Sequence, residues 1–235
     1  MIPLKDDVPS RSAPIITVLL IALNVLAYFY QASLEFDARG PGAGAAEAFI
    51  REFGLVPCRL AGSCAAPGDF PSPFMTIFTS MFMHGGLFHV GGNMLYLWIF
   101  GDNVEDRFGH LKFLLFYLAA GVAAALAQVM LNPGSRVPMV GASGAVSGVL
   151  GAYLYLLPRA KVIAAIFVFF VLLQEIPAWI FLGVWFLFQA WSGGFSLVNP
   201  EAGGGVAFFA HIGGFLFGYL AVRLFASRPA LRPLY

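Results

Sequence analysis

With 235 residues, 60% of them hydrophobic and 11% charged, and a mean hydropathy of +0.83, the chain is too apolar for a water-soluble domain, which averages about a quarter charged residues. A lipid bilayer is the expected solvent. The net charge of +1 and the lack of any basic block give no reason to expect nucleic acid as a partner.

A helix crosses the bilayer with roughly 20 mostly apolar residues, and with no fewer than about 17. The first candidate covers residues 14–31 and ends in Tyr28, Phe29 and Tyr30. That ending resembles an interfacial aromatic belt, not the small residues of a cleavage site, so the segment reads as a retained span. Residues 32–74 follow as a long outside loop rich in Gly, Pro and Ala; loops of this length are functional or disordered. Its two cysteines, Cys58 and Cys64, fit either a disulfide or two free thiols, and a zinc site would need more ligands. Further candidate spans cover residues 86–101, 111–131, 141–157 and 207–225, with a shorter one over Pro177–Trp191. The stretch Val162–Leu173 is apolar but short, and fits a seventh span, a buried loop or an interfacial segment.

The basic residues arbitrate, because cytoplasmic loops carry excess Lys and Arg. Six spans with the N-terminus inside put Lys5, Arg11, Arg107, Lys112, Arg159, Lys161, Arg223, Arg228 and Arg232 inside, against Arg39, Arg51, Arg59 and Arg136 outside. A crossing by Val162–Leu173 would move the three C-terminal arginines outside. The expected architecture is therefore all-α, a polytopic six-helix membrane bundle. Residues 1–13 form a cytoplasmic N-terminal segment, 14–225 the six-span domain, and 226–235 a cytoplasmic tail.

Ionisable groups at membrane depth are expensive and mark functional sites. All twelve Asp and Glu residues fall outside the apolar cores of the spans, which argues against an intramembrane aspartyl protease and a proton-coupled carrier. No H-E-x-x-H occurs, which argues against a membrane zinc protease. Histidine, serine and asparagine remain. His84, His89 and Asn93 head the second span, and His89 and Asn93, four apart, share a helix face. His211 stands near the head of the last span and Ser143 at the head of the fourth. In a six-span topology His89, Asn93, Ser143 and His211 all fall near one leaflet. Gly144-x-x-x-Gly148 and Gly214-x-x-x-Gly218 have the small-xxx-small spacing that lets helix backbones approach, which would bring the His211 ring towards the Ser143 hydroxyl.

Three stretches in this order, HGGLFHVGGN, GASGAVSG and AHIGGFLFG, resemble the rhomboid intramembrane serine proteases, with the likeness running from about Phe78 to Gly218. The family's G-x-S-G is Gly141-Ala142-Ser143-Gly144. Its H-x-x-x-x-H-x-x-x-N is His84, His89 and Asn93, and its A-H-x-x-G-x-x-x-G is Ala210, His211, Gly214 and Gly218. Its E-x-R-x-G matches Glu105, Arg107 and Gly109, read as a cytoplasmic structural network. The resemblance implies a six-helix rhomboid bundle and a Ser–His dyad without an acid. Ser143 is then the nucleophile and His211 the base, and the oxyanion is held by the Ser143 N–H with the His89 and Asn93 side chains. His84 either orders the loop and water beside the site or is a surface histidine.

The chain also departs from the family. Met75-Thr76 stands where many members carry Trp-Arg, and Ser147 where some carry a tyrosine; Ser147 is read as packing. The resemblance further implies that Val162–Leu173 is a membrane-associated connection and not a crossing. It implies membrane-anchored protein substrates and a bilayer as partners, and no metal or organic cofactor. The expected location is a bacterial inner membrane with the site facing outside, with an organelle membrane as the alternative. Ser192–Gly205, rich in glycine, fits a mobile cap or an ordinary connection. The rival reading is a non-proteolytic rhomboid-like protein that binds or extracts membrane helices.

Overall fold

The computed structural model describes residues 1–36, 44–65, 68, 70–167, 171–198 and 206–226. Six long helices run between two ends: α1 (Ile15–Phe36), α5 (Leu87–Phe108), α6 (His110–Leu131), α7 (Ser143–Leu156), α8 (Ala178–Val198) and α9 (Phe208–Phe225). Short helices α2 (Ala45–Phe53), α3 (Pro57–Leu60) and α4 (Met75–Thr79), with a 3₁₀ turn at Ser80–Phe82, lie at the upper end between α1 and α5. By length and composition α1, α6, α8 and α9 are apolar enough to cross a membrane. α5 places Asp102, Glu105, Asp106 and Arg107 in its last two turns, and the 14 residues of α7 reach only about 21 Å at 1.5 Å per residue.

The expectation of an all-α chain requires one correction. Strands β1 (Ile2–Asp6), β2 (Lys161–Phe167) and β3 (Val171–Pro177) form an antiparallel sheet in the order β1-β2-β3 at the lower end. The described residues of the ambiguous Val162–Leu173 stretch, 162–167 and 171–173, thus lie on paired antiparallel strands and not on a crossing helix. Pro158, just beyond α7, stops that helix, and the β-branched residues that follow suit a pleated, half-buried surface. Val162 and Ala164 are fully buried beneath the helices, while Val171 and Leu173 are exposed. The outside loop is also more ordered than its Gly and Pro content suggests, since it carries α2 and α3. Its cysteines form a disulfide, Cys58–Cys64, with a Cα–Cα distance of 5.3 Å.

Glu105 organises the lower end. Its buried carboxylate accepts from the N–H groups of Ile16 (2.9 Å) and Thr17 (2.8 Å), from the Thr17 hydroxyl (2.7 Å), and pairs with His110 Nδ1 (2.5 Å). An acid there satisfies the orphan donors of the first turn of α1 and complements its dipole. Arg107 Nη1 donates to the Asn103 carbonyl oxygen at 2.8 Å. Gly109, at φ +81°, makes the turn from α5 to α6 that an L side chain would resist. The E-x-R-x-G residues therefore sit in a structural network, as the motif suggested.

The N-terminal segment is tied to the same network. The Ser10 and Ser12 hydroxyls donate to Asp102 (2.5 Å) and Asp106 (2.7 Å), and the Tyr153 hydroxyl donates to Asp6 (2.5 Å). Lys5, Arg11, Arg107, Lys112, Arg159, Lys161 and Arg223 lie on lower-end segments, and Arg51, Arg59 and Arg136 on upper-end ones. Arg39, Arg228 and Arg232 lie outside the described residues.

Candidate active site

Ser143 is the first residue of α7, and the turn before it is built around Gly141. At φ +126° this residue occupies backbone space closed to most side chains, and a Cβ would stand 2.8 Å from the His89 ring. The Gly141 N–H donates to the Ser80 carbonyl oxygen (2.9 Å) and the Ala142 N–H to His84 Nε2 (3.5 Å). The upper-end loop braces the approach to this turn. Leu55 and Met139 exchange backbone hydrogen bonds of 3.0 and 2.7 Å, and the Cys58 N–H donates to the Ser135 carbonyl oxygen at 3.0 Å.

His211 lies in the first turn of α9, with Nε2 2.8 Å from Ser143 Oγ. Glycines set that distance. A Cβ at Gly214 would collide with the Gly144 carbonyl oxygen, one at Gly218 with the Gly148 carbonyl oxygen, and one at Gly151 with the Phe215 carbonyl oxygen. Backbone therefore lies on backbone along α7 and α9, the close approach that small-xxx-small spacing permits. All four glycines of the two small-xxx-small pairs, Gly144, Gly148, Gly214 and Gly218, lie in this contact.

α5 brings two more of the expected residues to the same place. Asn93 is buried, and its Nδ2 has no partner; its neighbours are the walls of a cavity of about 490 Å³ that Ser143 and His211 also line. His89 lines the cavity as well. Its Nδ1 accepts from the Gly85 N–H at 3.3 Å, so a neutral ring carries its proton on Nε2, beside Gly141. His84 is fully buried, which rules out a surface histidine. Burial, with a smaller contribution from His89, lowers its pKa to about 4 and keeps the ring neutral. Gln31 of α1 clamps the His84 backbone from both sides, donating to its carbonyl oxygen (2.6 Å) and accepting from its N–H (3.1 Å).

Ser147 is buried a turn below Ser143 and donates to the Ser143 carbonyl oxygen at 2.6 Å, in keeping with a packing role. Two glutamines were not singled out from the sequence. Gln128 of α6 accepts from the Ala210 N–H at 3.3 Å, and Gln189 Oε1 of α8 stands 2.8 Å from His211 Nδ1. The signal was there, an amide within the apolar run AWIFLGVWFLFQAW, but nothing in that run indicates which side faces the site. Ser192–Val198, which fitted either a mobile cap or an ordinary connection, continues α8 as helix, and residues 199–205 lie outside the described residues.

Among the described residues no carboxylate lines the cavity, and no group of three His, Cys, Asp or Glu side chains is placed to hold a metal. The cavity wall includes exposed Gly85, Phe88 and Val206 at the upper end, which gives water an entrance. A hydroxyl in hydrogen-bond contact with an imidazole nitrogen, beside an amide donor with no partner in the protein, is equipped for proton transfer and for binding a developing negative charge.

A family profile described as Rhomboid domain matches residues 71–228. Rhomboid protein 1, mitochondrial, of Saccharomyces cerevisiae is 32% identical over 161 residues, 65% of this chain and 42% of its own length. Rhomboid protease GluP of Bacillus subtilis is 35% identical over 143 residues, 60% of this chain and 24% of its own. Presenilin-associated rhomboid-like protein, mitochondrial, of Homo sapiens is 32% identical over 147 residues, 59% and 35% of the two lengths. The match thus spans less than half of each relative. Several relatives are mitochondrial, so the expectation of a bacterial inner membrane finds no support in them. With four helices apolar enough to span a bilayer and a profile match over most of its length, this integral membrane protein belongs to the rhomboid family.

Proposed function

We propose that this chain is an intramembrane serine endopeptidase acting on membrane-anchored proteins. The carrying observation is the 2.8 Å contact between Ser143 Oγ and His211 Nε2 in a water-accessible cavity that also holds the unpaired Asn93 amide. His211 Nε2 takes the Ser143 proton as Oγ attacks the scissile carbonyl carbon. The oxyanion is held by the Ser143 N–H, His89 Nε2–H and Asn93 Nδ2–H; one such donor is worth about 2.7–4 kcal/mol. The imidazolium then protonates the leaving amine, which departs with its half of the substrate. Water enters, gives its proton to His211 and attacks the acyl ester; His211 returns the proton to Ser143 Oγ and releases the second product.

The same proposal assigns residues 14–225 to a six-span domain, with α5 and α7 crossing where their neighbours shield them, and residues 1–13 and 226–235 to the cytoplasmic side. Seven described cations at the lower end against three at the upper support this orientation. A substrate helix must unwind locally to offer a carbonyl at Ser143.

The test is cleavage of a model transmembrane substrate by the purified chain in detergent, with fluorophosphonate labelling of the serine. Loss of both signals in folded Ser143→Ala, loss of cleavage in folded His211→Ala, and retention in Ser147→Ala are expected. Undiminished cleavage by folded Ser143→Ala would refute the mechanism. A wild type that binds transmembrane helices but neither cleaves nor labels would favour the helix-binding rival.

A further inference from the structure

The hydrolytic reading leaves one requirement that the expected dyad does not meet. A neutral imidazole carries one N–H. For His211 Nε2 to take a proton from Ser143, that N–H must sit on Nδ1, and a donor at membrane depth must be satisfied. Among the described residues the cavity supplies no carboxylate for this purpose. What faces Nδ1 is Gln189 Oε1 at 2.8 Å. Gln189 is 8% exposed and projects from α8, whose first 14 residues otherwise hold, apart from tryptophan, no side chain able to hydrogen-bond. Trp185, one turn earlier on the same face, places its ring centroid 6.2 Å from that of His211. α8 thus presents an amide and an indole to the histidine, while Leu187, Phe188 and Trp191 are exposed on its surface.

We infer that Gln189 is a positioning residue, which sets the tautomer and the ring orientation of His211 by accepting from Nδ1–H. The inference rests on the proposed hydrolysis, because only a histidine acting as base needs Nε2 bare. The amide does the orienting work of a triad acid without bringing a charge into the bilayer. Its oxygen continues to accept when His211 becomes imidazolium, so the bond persists through the proton transfer. It also crosses between helices. Ser143 and His211 sit on α7 and α9, which are locked together, whereas α8 supplies the third partner from outside that pair. Displacement of α8 would release Nδ1 and let the ring turn, so His211 is competent as a base only while α8 is seated against it.

The experiment compares wild type, Gln189→Leu and Gln189→Glu, with His211→Ala to assign the resonances of His211. Nitrogen-15 NMR of labelled histidine reads the tautomer directly, and steady-state cleavage reads kcat and KM separately. Wild type should show the Nδ1–H form. Gln189→Leu should show a mixture and a kcat lower by about 10- to 100-fold, with KM within about twofold. Gln189→Glu, whose carboxylate accepts in the same place, should restore the tautomer and most of the rate, which a packing defect would not do. An unchanged tautomer in folded Gln189→Leu overturns the inference. So does an equal fall in kcat for both variants with the tautomer intact. If wild type proves not to cleave, the hydrolytic reading fails on its own, and the tautomer measurement still decides what Gln189 does.

Discussion

Asn93→Ala is expected to leave the folded protein within about 1 kcal/mol of wild type while lowering kcat by about 10²–10³-fold, the loss of one oxyanion donor. Asn93 is 8% exposed and its Nδ2 has no partner. Because Nδ2 makes no bond within the protein and faces a cavity that water reaches, truncation breaks no protein–protein hydrogen bond there. What is lost is the packing of the amide carbon, on the order of 0.8 kcal/mol for one methylene equivalent. The donor is engaged only once the carbonyl oxygen takes up charge, so KM should stay within about twofold. Thermal unfolding in detergent, followed by scanning fluorimetry, and cleavage kinetics on one fluorogenic transmembrane substrate measure both effects. A kcat within about threefold of wild type would refute the assignment, and a marked fall in Tm would refute the claim that Nδ2 makes no bond within the protein.

Gly218→Val would drive its side chain into the Gly148 backbone. Overpacking of this kind costs about 1–3 kcal/mol or more, and because the helices must part, cleavage should be lost together with Tm; Leu220→Val, on an exposed position of the same helix, should change neither. Asp6 titrates at about 6 in the folded state, raised by burial despite the Tyr153 hydrogen bond, against 3.8 when unfolded. Between these values the folded state holds a proton that the unfolded state has released, so stability falls as pH rises from about 4 to about 6 and stays lower above it. Asp6→Asn should therefore raise Tm at pH 8 and leave it nearly unchanged at pH 4, and a Tm gain equal at both pH values would refute the assignment. The Cys58–Cys64 disulfide closes a loop of sequence separation 6, worth about 2 kcal/mol in the chain-entropy account. Cys58→Ser with Cys64→Ser should lower Tm accordingly, and labelling should slow because the Cys58 N–H helps hold the strand before Ser143; unchanged labelling would separate that strand from the disulfide.

The helices were legible because a crossing segment must be apolar for most of its length, and each long helix begins within two residues of its expected start. The Ser143 and His211 motifs were legible for a related reason: polar side chains at membrane depth are too costly to be incidental. The sheet was not legible. VIAAIFVFFVLL has no period that distinguishes a strand from a short buried helix, and its partner Ile2–Asp6 is about 160 residues away. Gln189 stayed hidden because a lone amide in an aromatic-rich helix gives no facing direction until α9 is placed beside it. The role of Glu105 was legible only as a motif; that it caps α1 depends on a contact across 88 residues of sequence.

The docking of the N-terminal segment has a consequence for how the chain is made. Asp6 meets Tyr153 across 147 residues, and the Lys161 N–H donates to Asp7 across 154. At a synthesis rate of about 5–20 residues per second, the first strand waits roughly 7–30 s after leaving the ribosome before its partner exists. For about the first 4–18 s of that interval α1 stands with the amides of its first turn uncapped, since Glu105 follows Thr17 by 88 residues. Closure of the lower end therefore waits on the return of β1 to partners made about 160 residues after it. A bulky fusion at Met1 would be carried into that late step, whereas the site-bearing helices α7 and α9 could already have closed on each other.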